Sequence, residues 1–220
     1  MCGRFARFSK KPVIIEEFGI EEIGFDFEAD YNIAPGRDIA AVTGGDKKRL
    51  VKLRWGLVPS WSKDPAIGFK MINARSETIA GKPSFRTAFK KRRCLIITDG
   101  FFEWKKDGKL KVPYFITMKP AHPFGFAGLY ERWVSPDGEE INSCTIITTQ
   151  ANGILKPIHD RMPVIVDKKD EEIWLNPEIF ENDKLSHILK PFDSDAMTAF
   201  EVGRIVNYPA NNSPECINPV

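Results

Sequence analysis

Residues 94–104 read CLIITDGFFEW, and the class of the whole chain turns on them. Ile96, Ile97, Phe101 and Phe102 predict a largely buried strand, because β-branched and aromatic residues suit a pleated, packed surface. The pattern recurs in CGRFARF (2–8), AAVTG (40–44), RLVKLRWGL (49–57), VPYFITM (112–118), FGFAGLYERW (124–133), SCTIITT (143–149) and PVIVD (163–167). Gly, Pro, Asn or Asp bounds each run. Helical candidates are fewer, at residues 12–18, 82–91, 167–175 and 181–189. Asp167, with Asp170 three positions on, has the form of an N-cap ahead of Ile173, Trp174 and Leu175. The expectation is an α+β fold, a single domain over residues 1–220 with a β-rich sandwich or partly open barrel core and peripheral helices. No repeat, low-complexity tract or linker divides the chain.

With 220 residues, 42% of them hydrophobic and 28% charged, the chain has enough apolar material for a substantial core, which argues against disorder. A formal net charge of +2 permits a polyanionic partner without demanding one. Cys2, Cys94, Cys144 and Cys216 are scattered, with no CxxC pair and no His at ligand spacing, so neither a zinc site nor a disulfide scaffold is expected. No run approaches the roughly 20 apolar residues that cross a bilayer. The compartment expected is reducing, cytoplasmic or nucleoid-associated. No cofactor is expected, since no phosphate-cradling glycine loop or metal cluster is present.

Cys2 is the most unusual feature. A small residue after the initiator Met is compatible with Met1 removal, and a chain beginning Cys-Gly-Arg-Phe presents a 1,2-aminothiol. Its thiol, of pKa about 8.5, and its amine, of pKa about 8, can condense together with an aldehyde. From position alone, an accident of a frayed terminus is the commoner explanation. Apolar Phe5 and Phe8 with basic Arg4 and Arg7 are compatible with a strand that ties the terminus down.

Glu103 lies in the apolar DGFFEW run, where a buried carboxylate would carry a raised pKa and act as a general acid or base. The alternative is an outward residue opposite Lys105 or Lys106. His159, in KPIHDRMP, has the most constrained surroundings of the three histidines; His122 and His187 fit a turn and an amphipathic helix. Asn73 and Arg75, two apart in MINARSET, would share one strand face and suit a polar ligand beside a phosphate; an Asx-type turn explains the same residues. Arg86, Lys90, Lys91, Arg92 and Arg93 form a basic run, and Trp55, Trp61 and Trp104 offer rings, the combination that single-stranded nucleic acid requires. Such a run is most often a solvated helix face, and Trp55 suits a core better than a platform.

MCGRF at the start, YNIAPG (31–36), WGLVPSW (55–61), INARSET (72–78), DGFFEW (99–104), IHDRMP (158–163) and the closing VNYPANNSPECINPV together resemble the SOS response-associated peptidase family, over essentially the full chain. The resemblance implies a positively charged channel for single-stranded DNA and a covalent cross-link to abasic sites. It implies Cys2 as the nucleophile that forms a thiazolidine, Asn73 as the residue positioning it, Glu103 as the acid/base group, and His159 as an aid to sugar-ring opening. It also implies phosphate contacts from Arg4, Arg75 and Arg161, and base contacts from Pro35, Trp61 and Trp104. Ser62 stands where other members place a second Trp after the first, so the base-stacking wedge is left open. Two rival readings stand beside this one: a cysteine peptidase or autoprotease using Cys2 and His159, and a non-covalent single-strand binder in which Cys2 is incidental.

Overall fold

The computed structural model describes residues 2–220; Met1, whose removal the aminothiol reading requires, lies outside the described residues. Strands in chain order are β1 (Phe5–Arg7), β2 (Glu22–Ile23), β3 (Asp30–Ile33), β4 (Asp38–Thr43), β5 (Arg49–Trp55), β6 (Asn73–Arg75) and β7 (Arg93–Thr98). There follow β8 (Gly100–Asp107), β9 (Leu110–Met118), β10 (Phe124–Val134), β11 (Glu140–Gln150), β12 (Arg161–Pro163), β13 (Ile165–Val166) and β14 (Met197–Glu201). The α-helices are α1 (Lys11–Phe18), α2 (Arg86–Lys91), α3 (Glu171–Leu175) and α4 (Asn182–Ser186).

Strands β4, β5, β7, β10 and β11 form a closed circuit. Four of its pairings are antiparallel, and a parallel β5–β11 pair, with Trp55 opposite Cys144, shuts it. The expected partly open barrel is therefore closed. A five-stranded barrel is narrow, and its inward positions hold small residues. Ala41, Cys94 and Cys144 pack there with Ile96, Ile146 and Phe126. Gly128 belongs to the same wall, since a Cβ there would meet the Cys94 sulfur at 2.8 Å.

The opposite faces of the same strands present Val42, Leu50, Leu95, Ile97, Ala127 and Ile147 to the helices. Ile14 and Phe18 of α1, Phe89 of α2 and Trp174 of α3 cover them. A second sheet, ordered β14-β9-β8-β1-β3, packs Phe5, Phe101 and Ile116 against the barrel's inner cluster. Phe5 is fully buried between Trp55 and Phe126, with ring centroids 5.2 and 5.9 Å away, a burial that contributes about 2 kcal/mol.

The 94–104 run is two strands, not one: β7 belongs to the barrel and β8 to the second sheet. Asp99 sits at the joint and accepts hydrogen bonds from the backbone of Phe8 at 2.5 Å and Ser9 at 2.8 Å. Three α-helices are shorter than the sequence candidates. Residues 76–85 form successive turns around Gly81 and Pro83, and proline's missing N–H and fixed φ delay α2 until Arg86. Asp167 does cap, accepting from the Lys169 N–H at 3.2 Å, but the first turn it opens is a 3-10 turn over Lys168–Asp170. The 181–189 candidate is helical only over α4. Among the described residues, no helix is long and apolar enough to cross a membrane.

Candidate functional site

Strand β1 lies between β3 and β8, with Phe5 opposite both Ile33 and Phe101. The backbone continues this tie upstream, where the Phe102 N–H donates to the Arg4 carbonyl at 2.9 Å. The residues before β1 are thus anchored, and Cys2 is fully buried. Asn73 completes the anchorage. Its strand, β6, runs parallel to β11 with Asn73 opposite Ile146, and its Nδ2 donates to the Cys2 carbonyl oxygen at 2.8 Å. The strand reading of this segment holds: Ala74 is buried on one face, and half-buried Asn73 and exposed Arg75 lie on the other.

Glu103 is 3% exposed, on β8 opposite Tyr114, so the outward-facing alternative fails. Burial pushes its carboxyl up, against the opposing field of His159. Burial likewise pushes the Cys2 thiol well above its ordinary value; Glu103's charge adds to the rise, and the Arg4 carbonyl that accepts from the thiol moderates it. Cys2, Glu103 and His159 therefore form one electrostatic group. His159 follows β11 in a loop, where its Nδ1 accepts from the Arg161 N–H at 3.0 Å. A backbone N–H can only donate, so the neutral imidazole carries its proton on Nε2. The Asp160 carboxylate, 2.9 Å from Nδ1, would pair with the protonated ring. His159, Asp160, Lys106, Lys156, Gln150 and Trp104 line an open cleft of about 700 Å³ beside this group.

The remaining sequence candidates divide by what already engages them. Trp61 is 60% exposed, on a loop shaped by a close backbone approach: a Cβ on Gly56, where φ is +132°, would meet the Gly68 carbonyl oxygen at 2.7 Å. Pro35 is half-buried in the turn after β3, and Arg75 is exposed. Arg4 is engaged: Nη1 donates to Asn32 Oδ1 at 2.6 Å and to the Val206 carbonyl at 2.9 Å, with the guanidinium 5.9 Å from the Trp104 ring centre. Arg161 forms a two-pronged pair with Glu77 at 2.5 and 3.0 Å. Trp55 is core, with Nε1 donating to the Ile72 carbonyl at 2.9 Å. The basic run is not one surface. Arg92 pairs with Glu131, and Arg93, 3% exposed, donates to five backbone carbonyls.

Two residues near the site were missed in the sequence. Asn32, fully buried, holds Arg4 through Oδ1 and reaches the carbonyls of Val206, Tyr208 and Asn211 through Nδ2. Asn207 accepts from Trp104 Nε1 at 2.7 Å. Asn32 falls inside the quoted YNIAPG and Asn207 inside the closing segment, but a buried asparagine carries no local signal of partners so far along the chain.

A closed five-stranded barrel that gathers an anchored residue-2 cysteine, a buried carboxylate and an imidazole beside an open cleft defines a small class of proteins. The chain belongs to the SOS response associated peptidase (SRAP) family, whose pattern it matches over residues 1–209. It is 48% identical over 221 residues to abasic site processing protein YoqW of Bacillus subtilis (strain 168), covering 99% of each chain. It is 34% identical over 193 residues to abasic site processing protein HMCES of Xenopus tropicalis, covering 76% of this chain and 56% of that one. A crystal structure of a protein from Bacteroides thetaiotaomicron superposes with a TM-score of 0.91 at 30% identity, covering 100% of both chains.

Proposed function

We propose that this protein captures abasic sites in single-stranded DNA by forming a thiazolidine between Cys2 and the deoxyribose aldehyde. The observation that carries the reading is the placement of Cys2: residue 2 is buried, pinned through its carbonyl by Asn73, and within the field of the buried Glu103 carboxylate. Relatives named as abasic site processing proteins supply the substrate class.

Once Met1 is removed, the Cys2 amine attacks the C1′ aldehyde of the open sugar, and loss of water from the carbinolamine gives an imine. The thiol sulfur then adds to the same carbon while the thiol proton passes to nitrogen, with Glu103 as the shuttle. Aldehyde and aminothiol thus yield thiazolidine and one water. His159 donates a hydrogen bond from Nε2 to the ring oxygen and so assists opening of the furanose, in which the C1′ hydroxyl proton passes through water to that oxygen. In this order the amine reacts first and the sulfur is needed only for closure.

The test mixes protein shown by mass to begin at Cys2 with single-stranded DNA carrying one abasic site, then denatures it. A heat-stable adduct one water lighter than its parts, absent with undamaged DNA and lost in Cys2→Ala, is the expected result. Absence of an adduct from the processed protein overturns the reading.

A further inference from the structure

The C-terminal segment is joined to the cleft by Trp104. The ring's Nε1 donates to Asn207 Oδ1 at 2.7 Å, and Arg4, which lies by the same ring, donates to the Val206 carbonyl at 2.9 Å. The segment is itself held fast. Val206 and Cys216 are fully buried, and Asn32 Nδ2 donates to the Tyr208 carbonyl at 3.1 Å, which also accepts from the Asn211 N–H at 3.0 Å. With its backbone fixed in this way, Tyr208 nonetheless presents a ring that is 66% exposed, and Arg204 is exposed on the adjoining turn. A fixed backbone, an outward ring and a neighbouring cation are what a stacking platform for an unpaired base requires, since every base has a π-face and a phosphate follows it.

We propose that the Asn207–Tyr208 turn is part of the strand-binding surface, with Asn207 orienting Trp104 and Tyr208 offering a second ring on which an unpaired base of the same strand stacks. Asn207 is a positioning residue and Tyr208 a contact residue. The inference rests on the single-stranded DNA reading above, and it extends the track beyond the cleft that Trp104 borders.

The experiment measures equilibrium affinity for undamaged oligothymidylates of increasing length in a Cys2→Ser background, so that no covalent step contributes. Affinity is expected to rise by about tenfold when the strand becomes long enough to reach Tyr208, the order of one stacked base. Tyr208→Ala should lose that rise while matching its parent on the shorter strands, and Tyr208→Phe should keep it. Asn207→Leu should weaken binding at every length that reaches Trp104. Equal affinities of Tyr208→Ala and its parent at all lengths, or equal losses in Tyr208→Ala and Tyr208→Phe, overturn the proposal. Adduct formation by the Cys2-bearing protein is scored separately, so a failure of the covalent reading leaves this comparison intact.

Discussion

The amide of Asn73 donates to the carbonyl oxygen of Cys2 across 2.8 Å, bridging 71 positions of sequence. One side chain on β6 thereby sets where the residue-2 backbone, and the nucleophiles it carries, can lie. Asn73→Ala should slow adduct formation with abasic single-stranded DNA by about 100-fold, the order seen when a reacting group drifts by roughly 1 Å. Asn73→Asp should be no better, because a carboxylate repels the carbonyl it replaces a donor to. Time courses at saturating DNA check this; an unchanged rate in Asn73→Ala would remove the residue from the site.

Glu103 supplies a pH signature. Burial raises its folded-state pKa above the unfolded value of about 4.3. The folded protein therefore holds this proton more tightly than the unfolded chain. The stability this contributes is fully present below the unfolded pKa and is lost as pH rises through the folded one. Urea titrations across that window should show the wild type losing stability with rising pH more steeply than Glu103→Gln, with the variant the more stable at neutral pH. Glu171, also raised by burial, acts in the same direction in both proteins and cancels in the difference. The same substitution should slow adduct formation by about 100-fold or more, the usual share of a positioned acid/base group.

How far the chain reveals this arrangement depends on the distance between partners. The β-runs, the tie of Phe5 into a sheet, the burial of Trp55 and the cap at Asp167 all follow from neighbours within a few residues and are legible, whereas the sequence leaves Glu103 open between a buried and an outward position. The β5–β11 closure is not, because a parallel pairing between strands so far apart leaves no local pattern. Asn32 is hidden for the same reason, since its carbonyl partners lie 174, 176 and 179 positions away. Arg93 misleads for a different one. In a run of four basic residues it reads as surface, yet as the first residue of β7 it lies on the same helix-facing side as Leu95 and Ile97, buried against the backbone of α2, α3 and the residues after α3.

That buried placement yields a stability prediction. Arg93 donates to the carbonyls of Phe89, Lys90, Trp174, Asn176 and Ile179. It thereby satisfies carbonyls at the C-terminal ends of α2 and α3 and just beyond α3. Arg93→Met should cost at least about 3 kcal/mol, since each stranded carbonyl loses on the order of 1 kcal/mol. The adduct yield per folded molecule should stay at the wild-type level. Chemical denaturation gives the first quantity. A loss under about 1 kcal/mol would mean that water satisfies these carbonyls equally well.

Glu77 and Arg161 make the last relationship testable in DNA binding. Arg161 stands two residues after His159 and donates to both oxygens of Glu77 and to the Thr148 carbonyl at 2.5 Å. The guanidinium holds the Glu77 carboxyl below its ordinary range, so the pair is fully ionised and neutral overall near pH 7. As it stands, Arg161 offers a phosphate little net charge. Glu77→Gln removes the negative partner while keeping a side chain of the same size beside the guanidinium. If Arg161 faces the strand, affinity for single-stranded DNA should rise, and the slope of log affinity against log salt should steepen by up to about 0.7, the contribution of one added phosphate contact on a single strand. Arg161→Gln should leave the slope at or below the wild-type value, and adding Glu77→Gln to it should change nothing further. An unaltered slope in Glu77→Gln would make Arg161 a brace between β12 and the segment after β6, and would leave exposed Arg75 as the nearer phosphate contact.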